Sequence, residues 1–206
     1  MGQLKYRTGR LRRRDYKKAL EFTVEGMQVD KYSDSRFFQY LYGIYFLYME
    51  MEHTTDMLSV YEDDQLVGLL MIDMKGRKKK FHSFCGGLIV RVTEFLMGLA
   101  AGNGANSYGE ANEAMLKEFQ KRSDPDGEMN FLAVDRELRG KGIGGKMVKL
   151  LRKREPGKLL YLYTDNNCIY QFYDRKGFTR EETREIEMEI QGKRIPLTCM
   201  LYAIQL

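Results

Sequence analysis

The amino-acid sequence predicts a mixed α/β fold with one central sheet and helices on its faces. Two apolar strands, Met129–Val134 and Leu159–Tyr163, are separated by a helix that begins near Ile143, and this order makes the two strands a parallel pair. Antiparallel pairs are predicted on either side of it, at Met57–Tyr61 with Leu66–Met74 and at Thr183–Ile190 with Arg194–Ile204. Their turns are predicted at Glu62–Gln65 and Gln191–Lys193.

The first part of the chain predicts one strand and two helices. Residues 4–11 alternate weakly between apolar and polar side chains, as a strand does, and a helix follows from Asp15 to Gly26. Ser33 or Ser35 then caps a second helix, FFQYLYGIYFLYME, whose apolar residues lie on more than one face. We expect both sides of this helix to be covered, with its tyrosines either packed in the core or lining a pocket.

Residues 76–127 predict a helical insertion within a single domain that spans residues 1–206, because they are too long for a plain loop. The segment Phe84–Leu99 has a helical pattern, and the glycines and asparagines of Gly98–Gly109 interrupt it. Ser107 and Glu110 then have the spacing of a capping box that opens another helix. Two interpretations of the insertion stay open, namely dispensable bulk and a lid that selects the substrate.

Composition limits the classes of protein that the chain can belong to. It has 206 residues, of which 43% are hydrophobic, and a formal net charge of +5. Basic clusters at Arg10–Arg14 and Arg77–Lys80 are typical of solvated faces, and we expect no nucleic-acid partner. A third cluster, Arg152–Arg154, lies later in the helix that begins near Ile143 and is expected to attract a phosphorylated ligand. No apolar run of about 18 residues occurs, and the first residues lack a signal pattern, so we expect a cytoplasmic protein without membrane contact. The three cysteines and two histidines have no ligand spacing, which argues against a metal site.

A glycine-rich basic loop follows the first strand of the parallel pair. The stretch FLAVDRELRGKGIGGKMVKL, Phe131–Leu150, runs from a strand through this loop into a helix. Its glycines allow positive φ angles, so several backbone N–H groups can point to one place. The helix start adds unpaired N–H groups and the positive end of the helix dipole. The loop therefore predicts a binding site for a phosphate group.

Two nucleotide-binding patterns fit this loop incompletely. Gly140, Gly142 and Gly145 match the dinucleotide pattern Gly-x-Gly-x-x-Gly, with Asp165 as the ribose-binding acid. Five residues, however, separate the strand from the first glycine, and no further strand–helix–strand unit follows. The nucleotide triphosphate pattern Gly-x-x-x-x-Gly-Lys also matches, but Met147 occupies the position of the magnesium-binding hydroxyl. Both interpretations are therefore disfavoured.

A third pattern, Arg139-x-x-Gly142-x-Gly144 after the strand Leu132-Ala133-Val134-Asp135, has no position that fails. It resembles the acetyl-coenzyme A loop of the GNAT superfamily of N-acetyltransferases, and the chain looks like a bacterial-type member with a helical insertion. The resemblance implies a GNAT fold and a pyrophosphate site made by backbone amides of residues 139–144. The residues that this site would include are Arg139, Gly140, Lys141, Gly142, Ile143 and Gly144.

The same resemblance assigns roles to the strand before the loop. Leu132 and Val134 would pair with the pantetheine amides of the coenzyme, and the N–H of Ala133 or Val134 would stabilise the oxyanion. Strand alternation puts Glu128 on one face with Asn130, Leu132 and Val134, and Glu128 matches the catalytic glutamate of some members. Glu128 is our candidate base, and an exposed carboxylate at the strand start is the alternative.

A second signature follows the other parallel strand. In TDNNCIYQFYDRKGF, residues 164–178, the family pattern is matched by Asn166, Tyr173, Gly177 and Phe178, while Ile169 stands where alanine is frequent. The resemblance implies that Asn166 contacts the pantetheine arm or a water molecule. It also implies that Tyr173 lies near the sulfur and donates a proton to the leaving thiolate. The alternatives are a turn asparagine and a structural tyrosine.

The sequence thus predicts an acetyltransferase that uses acetyl-CoA as cosubstrate, without a metal. The acetyl group would go directly to a primary amine of an unidentified small molecule or peptide. Three rival hypotheses stay open: a noncatalytic acyl-CoA-binding regulator of the same fold, a dinucleotide-dependent oxidoreductase and a basic nucleic-acid module. A homodimer through an exposed strand or the aromatic helix is compatible with the sequence.

Overall fold

The computed structural model describes residues 3–31, 33–101, 105–190 and 193–206. Its strands are β1 (Leu4–Thr8), β2 (Asp56–Glu62), β3 (Gln65–Met74), β4 (Gly127–Val134), β5 (Leu159–Asp165), β6 (Thr179–Ile190) and β7 (Lys193–Gln205). Across these residues they form one seven-stranded sheet in the order β1-β2-β3-β4-β5-β7-β6. Neighbouring strands are antiparallel except β4 and β5, which confirms the predicted mixed sheet with one parallel pair.

Helices cover both faces of this sheet. They are α1 (Tyr16–Gly26), α2 (Arg36–His53), α3 (Phe84–Ala101), α4 (Ala105–Gln120), α5 (Ile143–Arg154) and α6 (Gln171–Arg175). Apolar side chains of α5 and α6 pack on one face, in a cluster that includes Met147 and Leu162. Those of α1, α2 and α4 pack on the other face, in two clusters centred on Phe22 and Met115. The core therefore has two layers of helices with the sheet between them.

Helix α2 begins where the sequence predicts but is less covered than expected. Ser35 is its N-cap, and the Ser35 hydroxyl oxygen accepts a hydrogen bond from the Phe38 N–H at 3.3 Å. Leu47 is buried because its face of the helix packs on the sheet. The prediction that both sides of α2 are covered is wrong, since Phe37 and Tyr40 have 71% and 57% of their surface exposed.

The two antiparallel hairpins form as predicted. Asp63 and Asp64 turn the chain between β2 and β3 with positive φ angles of 47° and 66°, a pair that is typical of a two-residue hairpin turn. Strands β6 and β7 pair in antiparallel fashion from Thr179 with Ala203 to the end of the described ladder. Of the turn predicted between them, residues 191–192 lie outside the described residues.

The insertion between β3 and β4 contains α3 and α4. Helix α3 starts at the predicted residue and continues to Ala101, so the break predicted over Gly98–Gly109 is shorter, and residues 102–104 lie outside the described ranges. The predicted capping box is wrong, because Ser107 and Glu110 lie inside α4. In the described part of the chain, no helix has the length and apolar character needed to cross a bilayer.

Helix α4 is part of the protein core. Its side chains Ala111, Met115 and Phe119 are buried against Leu201 and Ala203 of β7. Removing the helix would expose this apolar surface of the sheet to water, at a cost proportional to the area uncovered. The interpretation of the insertion as dispensable bulk is therefore not supported by its packing.

Truncating a buried side chain of α4 is expected to destabilise the whole protein. Phe119→Ala should lower the free energy of unfolding by about 3–5 kcal/mol, because it leaves a cavity between α4 and β7. Urea unfolding followed by circular dichroism measures this change. Lys117→Ala, on the exposed face of the same helix, should change it by less than about 0.5 kcal/mol. A loss below about 1 kcal/mol for Phe119→Ala would mean that the insertion is dispensable after all.

Candidate functional site

The sheet opens between its two parallel strands. Strands β4 and β5 pair only at Gly127 with Leu160 and at Glu128 with Tyr161. Beyond these pairs β4 continues along β3, and β5 continues along β7, without further pairing to each other. We call this opening the β4–β5 gap. Backbone groups on its two edges lack a ladder partner within the described structure, so an extended ligand can pair with them.

Two residues of β4 direct backbone groups into the gap. The Asp135 N–H donates a hydrogen bond to the Val67 carbonyl of β3 at 3.0 Å. Because N–H groups alternate sides along a strand, the N–H of Val134 points away from β3, and so does that of Leu132. The N–H of Ala133 points toward β3 instead. This geometry lets the N–H of Val134, and not that of Ala133, donate a hydrogen bond to a ligand in the gap.

The glycine-rich loop leads into α5 at the open end of the gap. Gly142 is the N-cap of α5 with a φ of +81°, and Gly140 has the same φ, in a region that favours glycine. Ile143 is buried under the helix, whereas Lys141 and Gly142 are exposed. The first N–H groups of α5 have no acceptor within the helix and lie at the positive end of its dipole. Residues 139–144 thus have the geometry that an anion site requires.

Gly144 allows three elements to meet beside this loop. A Cβ at Gly144 would lie 3.1 Å from the Phe172 ring of α6 and 3.6 Å from a methyl group of Val134 in β4. A larger residue here would displace the ring and with it α6. The Arg139 side chain lies elsewhere, with Nη2 at 3.5 Å from the Glu25 carbonyl near the end of α1. Arg139 therefore borders the anion site with its backbone.

A β-bulge interrupts β4 near its start. Met71 of β3 pairs with Phe131, and Asp73, two residues further on, pairs with Glu128, three residues away on β4. Strand β4 thus has one more residue than β3 between these two pairs. Such an insertion bends a strand and reverses the alternation of its side chains. For a residue before the bulge, the side of the sheet on which its side chain lies can therefore not be deduced by alternation from Val134.

The bulge places Glu128 on the face of the sheet that α2 covers. Asn130 also faces α2, where its Nδ2 donates a hydrogen bond to Glu50 Oε2 at 2.7 Å. Leu132 and Val134 pack on the opposite face, with the apolar cluster of α5. The prediction that these strand residues share one face with Glu128 is therefore wrong, because strict alternation ends at the bulge.

Two partly buried carboxyl groups act on each other at the closed end of the gap. Glu128 Oε2 accepts a hydrogen bond from the Tyr161 hydroxyl at 3.2 Å. Burial raises the pKa of Glu128 to about 7, with the Tyr161 hydrogen bond opposing the rise and the charge of Asp73 adding to it. Burial, followed by the charge of Glu128, raises the pKa of Glu50 on α2 to about 8. Near neutral pH the pair keeps protons that ordinary carboxyl groups have lost.

Glu50 was not identified from the sequence, although a signal for it exists. It is the only charged residue in the apolar segment FFQYLYGIYFLYME. A carboxylate in a helix that is expected to be covered must find a polar partner or serve a function. The partner itself cannot be found by local patterns, since Asn130 is 80 residues away in the sequence.

Tyr173 lies on α6 and keeps its proton at neutral pH. The rings of Phe172, Phe178 and Tyr202 surround it, with centroid distances of 5.3–5.7 Å. Burial raises the pKa of Tyr173 above its ordinary value, and the Cys168 thiolate charge acts in the same direction. No described side chain forms a hydrogen bond with its hydroxyl. The hydroxyl is therefore available as a proton donor.

Tyr173 and Glu128 lie at the same level of the sheet but on opposite faces. Tyr202, in ring contact with Tyr173, pairs with Leu162 of β5, while Glu128 pairs with the preceding residue, Tyr161. Tyr202 belongs to the cluster on the α5 face, and Glu128 faces α2. A reacting group at the start of the gap would have the face with Tyr173 on one side and the face with Glu128 on the other.

Two residues singled out in the sequence have structural partners instead. Asn166 Oδ1 accepts a hydrogen bond from the Thr198 N–H at 3.0 Å, on the β7 side of β5, so the structure does not bring Asn166 to the gap. Asp165 Oδ1 accepts hydrogen bonds from the N–H groups of Asn167 and Cys168 at 2.8 and 3.2 Å, as in a turn that ends a strand. The described residues contain no group of three or more side chains that could hold a metal ion.

Part of the chain matches the sequence model of a known protein family. Residues 109–180 match the family model described as Acetyltransferase (GNAT) domain. This match covers about a third of the chain and includes the glycine-rich helix start and the opened part of the sheet. It supports an acetyltransferase of the GNAT superfamily, in agreement with the resemblance seen in the sequence.

Solved structures show the same fold. A protein assigned to the GNAT family from Desulfovibrio desulfuricans is 11% identical with a TM-score of 0.53, over 98% of this chain and 99% of that one. A GCN5-related N-acetyltransferase from Rhodopseudomonas palustris is 12% identical with a TM-score of 0.52, over 99% and 98%. The structure of histone acetyltransferase HPA2 and related acetyltransferase from Corynebacterium glutamicum is 14% identical with a TM-score of 0.54, over 95% and 94%. No curated protein matches the sequence.

Replacing Glu128 should change how stability depends on pH. A carboxyl group whose pKa is raised by folding stabilises the folded state at low pH, and this contribution is lost as pH rises through the folded pKa. For Glu128 the window runs from 4.5 to about 7. Between about pH 5 and about pH 8, Glu128→Gln should therefore gain up to about 3 kcal/mol relative to the wild type in urea unfolding.

An exposed glutamate provides the control for this measurement. Glu113→Gln, on the solvent side of α4, should differ from the wild type by the same amount at both pH values. A Glu128→Gln variant that shows no change in pH dependence would contradict a partly buried carboxyl that keeps its proton.

Proposed function

We propose that this protein is an acetyl-CoA-dependent N-acetyltransferase that transfers an acetyl group directly to a primary amine. The observation that carries the proposal is the β4–β5 gap, one edge of which ends at the glycine-rich start of α5. That edge can pair with the amide groups of an extended arm, and the loop can bind a diphosphate joined to it. Coenzyme A contains both an amide-bearing arm and a diphosphate.

The residues around the gap fit this cosubstrate. Leu132 and Val134 would hold the arm through their free backbone groups, and the N–H groups of residues 139–144 would hold the diphosphate. The space beside Gly140 and Gly142 is open, since no atom lies within 4 Å of a Cβ built on either residue. When bound there, acetyl-CoA supplies an acetyl group activated as a thioester.

Glu128 is the proposed proton acceptor. An alkylamine is protonated near neutral pH and becomes a nucleophile only after it loses a proton. A carboxyl with a pKa of about 7 takes up and releases protons readily near neutral pH, as a general base must do in each cycle. The Tyr161 hydroxyl orients it through the hydrogen bond to Oε2. The neutral amine nitrogen then forms its bond to the acetyl carbon.

Tyr173 is the proposed proton donor. Because burial raises its pKa, the Tyr173 hydroxyl stays protonated and can give its proton to the sulfur as the carbon–sulfur bond breaks. The Val134 N–H points into the gap but lies six residues along β4 from Glu128, roughly 20 Å in an extended strand, so it would bind the arm and not the acetyl oxygen. The nitrogen releases its second proton to solvent as the amide forms, and Tyr173 regains a proton from solvent.

A panel of amines tests the proposal. The purified protein, given acetyl-CoA, should release free thiol in proportion to the amine that is acetylated. The panel contains polyamines, amino acids, aminoglycosides, small amines and peptides with a free N-terminus, which are the acceptors left open by the sequence. If acetyl-CoA binds but no amine yields thiol, the noncatalytic acyl-CoA-binding regulator replaces the enzyme as the best description.

Gly142→Ala should weaken acetyl-CoA binding by about tenfold or more. A side chain is strained at a φ of +81°, so the loop backbone would shift and move the N–H groups that bind the diphosphate. Titration calorimetry measures the affinity. Gly157→Ala is a matched control, because Gly157 has a φ of +75° and the same open surroundings but follows α5 at its far end. Equal affinities of the two variants would place the diphosphate elsewhere.

Tyr173→Phe should bind acetyl-CoA with unchanged affinity and lose roughly 100-fold or more of its turnover with the best amine of the panel. The phenyl ring keeps the packing against Phe172, Phe178 and Tyr202 but has no proton to give. Steady-state thiol release measures the loss. Tyr170→Phe, at the N-cap of the same short helix, should retain wild-type turnover. Full activity of Tyr173→Phe would make Tyr173 a structural residue.

A further inference from the structure

Glu50 is a partly buried acidic residue to which the proposed reaction gives no role. Its Oε2 accepts a hydrogen bond from Asn130 Nδ2 at 2.7 Å. The same Nδ2 lies 3.1 Å from the Glu50 carbonyl oxygen and 3.2 Å from Thr54 Oγ1. Asn130 stands two residues beyond Glu128, the last residue of β4 that pairs with β5. These contacts hold the Glu50 carboxyl where the β4–β5 gap begins.

The side-chain oxygen of Asn130 lacks a hydrogen-bond donor within the described structure. This atom, Oδ1, is buried, and a buried acceptor left without a donor destabilises the folded state. In the orientation described, Nδ2 makes the contacts to Glu50 and Thr54, which leaves Oδ1 without a donor among the described residues. A water molecule or a bound ligand can supply that donor.

The groups around Glu50 favour a positively charged ligand. The titratable groups that act on Glu50 or lie close to it are Glu128 on β4, Asp73 on β3, and Tyr42 and Tyr45 on its own helix. Lys79, which also acts on Glu128, forms an ion pair with Asp73. A ligand cation would thus meet two carboxyl groups that have no ion pair with any described residue, together with an unsatisfied amide oxygen.

We propose that Glu50 is a specificity-determining residue that binds the ammonium group of the acceptor, and that the acceptor is a primary alkylamine charged at neutral pH. The inference rests on the proposed N-acetyltransferase function. An ammonium group has three N–H donors, and the acceptors that it meets are Glu50, Asn130 Oδ1 and Glu128. Glu50 and Asn130 hold the nitrogen, while Glu128 takes one proton from it. The neutral amine that results has the lone pair needed for the carbon–nitrogen bond.

Binding of the ammonium group changes the protonation of Glu50. The carboxyl, with a pKa of about 8 in the free protein, keeps its proton near neutral pH. A positive charge alongside favours its ionised form, so that binding of a cation releases a proton to solvent. A neutral aryl amine has no charge with which to drive this ionisation. The site therefore selects alkylamines over aryl amines.

Glu50→Gln tests this selectivity. Glutamine keeps the size of the side chain and an oxygen to accept the Asn130 hydrogen bond, but it cannot carry a charge. Benzylamine and aniline are matched probes, since they differ by one methylene group and the first is protonated at neutral pH. For benzylamine kcat/KM should fall roughly 10- to 100-fold, mainly through KM. For aniline it should change less than about threefold, and Glu113→Gln should match the wild type with both probes.

Binding without turnover separates this inference from the proposed function. Benzylamine is titrated into the protein near neutral pH in two buffers of different ionisation enthalpy, which counts the protons released. The wild type should release more protons on binding than Glu50→Gln, in which only Glu128 is left to ionise. If this result is obtained and no thiol is formed from acetyl-CoA, the role of Glu50 stands and the proposed enzyme function fails.

Three results would overturn the inference. Equal losses for benzylamine and aniline in Glu50→Gln would make Glu50 a structural residue. Unchanged kinetics of Glu50→Gln with both probes would show that Glu50 is not part of the acceptor site. Failure of the wild-type protein to bind benzylamine would lead to the same conclusion. In the first two cases acetyl transfer by the wild type leaves the proposed function intact. The acetyl-CoA affinity and the Tm of each variant show whether its fold is retained.

Discussion

The parting of β4 and β5 is the constraint on which the rest of the structure depends. Two strands in a ladder satisfy each other's backbone groups, and these two stop doing so after Glu128. The opening is stable only because each strand is held from its other side, by β3 and by β7. Helices α5 and α6 on one face and α2 and α4 on the other then fix the strands in this separated position.

The bulge in β4 decides what each side of the gap contains. With strict alternation, Glu128 would face the apolar cluster of α5, where residues such as Met147 and Val148 offer a carboxyl no partner. One extra residue turns it toward Glu50 and Asn130 instead. The apolar face can then receive the ring of Tyr173 while the opposite face holds the acids. A single inserted residue thus puts Tyr173, the proposed proton donor, and Glu128, the proposed proton acceptor, on opposite faces of the sheet.

Sequence reasoning succeeded where a feature depends on a short stretch of chain. The parallel strand order, the helix start at Gly142 and the short helix of Tyr173 all follow from local patterns, and the structure has each of them. It failed where distant segments decide the outcome. The Glu128 face depends on register with β3, and the role of Asn166 depends on a contact with Thr198 of β7. Neither the register with β3 nor the contact with Thr198 can be deduced from the residues that are adjacent in sequence.

The contrast between two kinds of carboxyl group indicates which of them serve a function. Exposed acids such as Asp64 and Asp124 pair with arginine or lysine, an arrangement that contributes little and changes little with its surroundings. Glu50 and Glu128 are partly buried and form no ion pair with any described residue, so burial raises their pKa values to about 8 and about 7. A group that binds a proton weakly near neutral pH can exchange it with a substrate. Removing these two carboxyl groups from water, at the point where β4 and β5 separate, therefore lowers the stability of the fold. The same removal brings their pKa values into the range in which protons can be exchanged with a substrate.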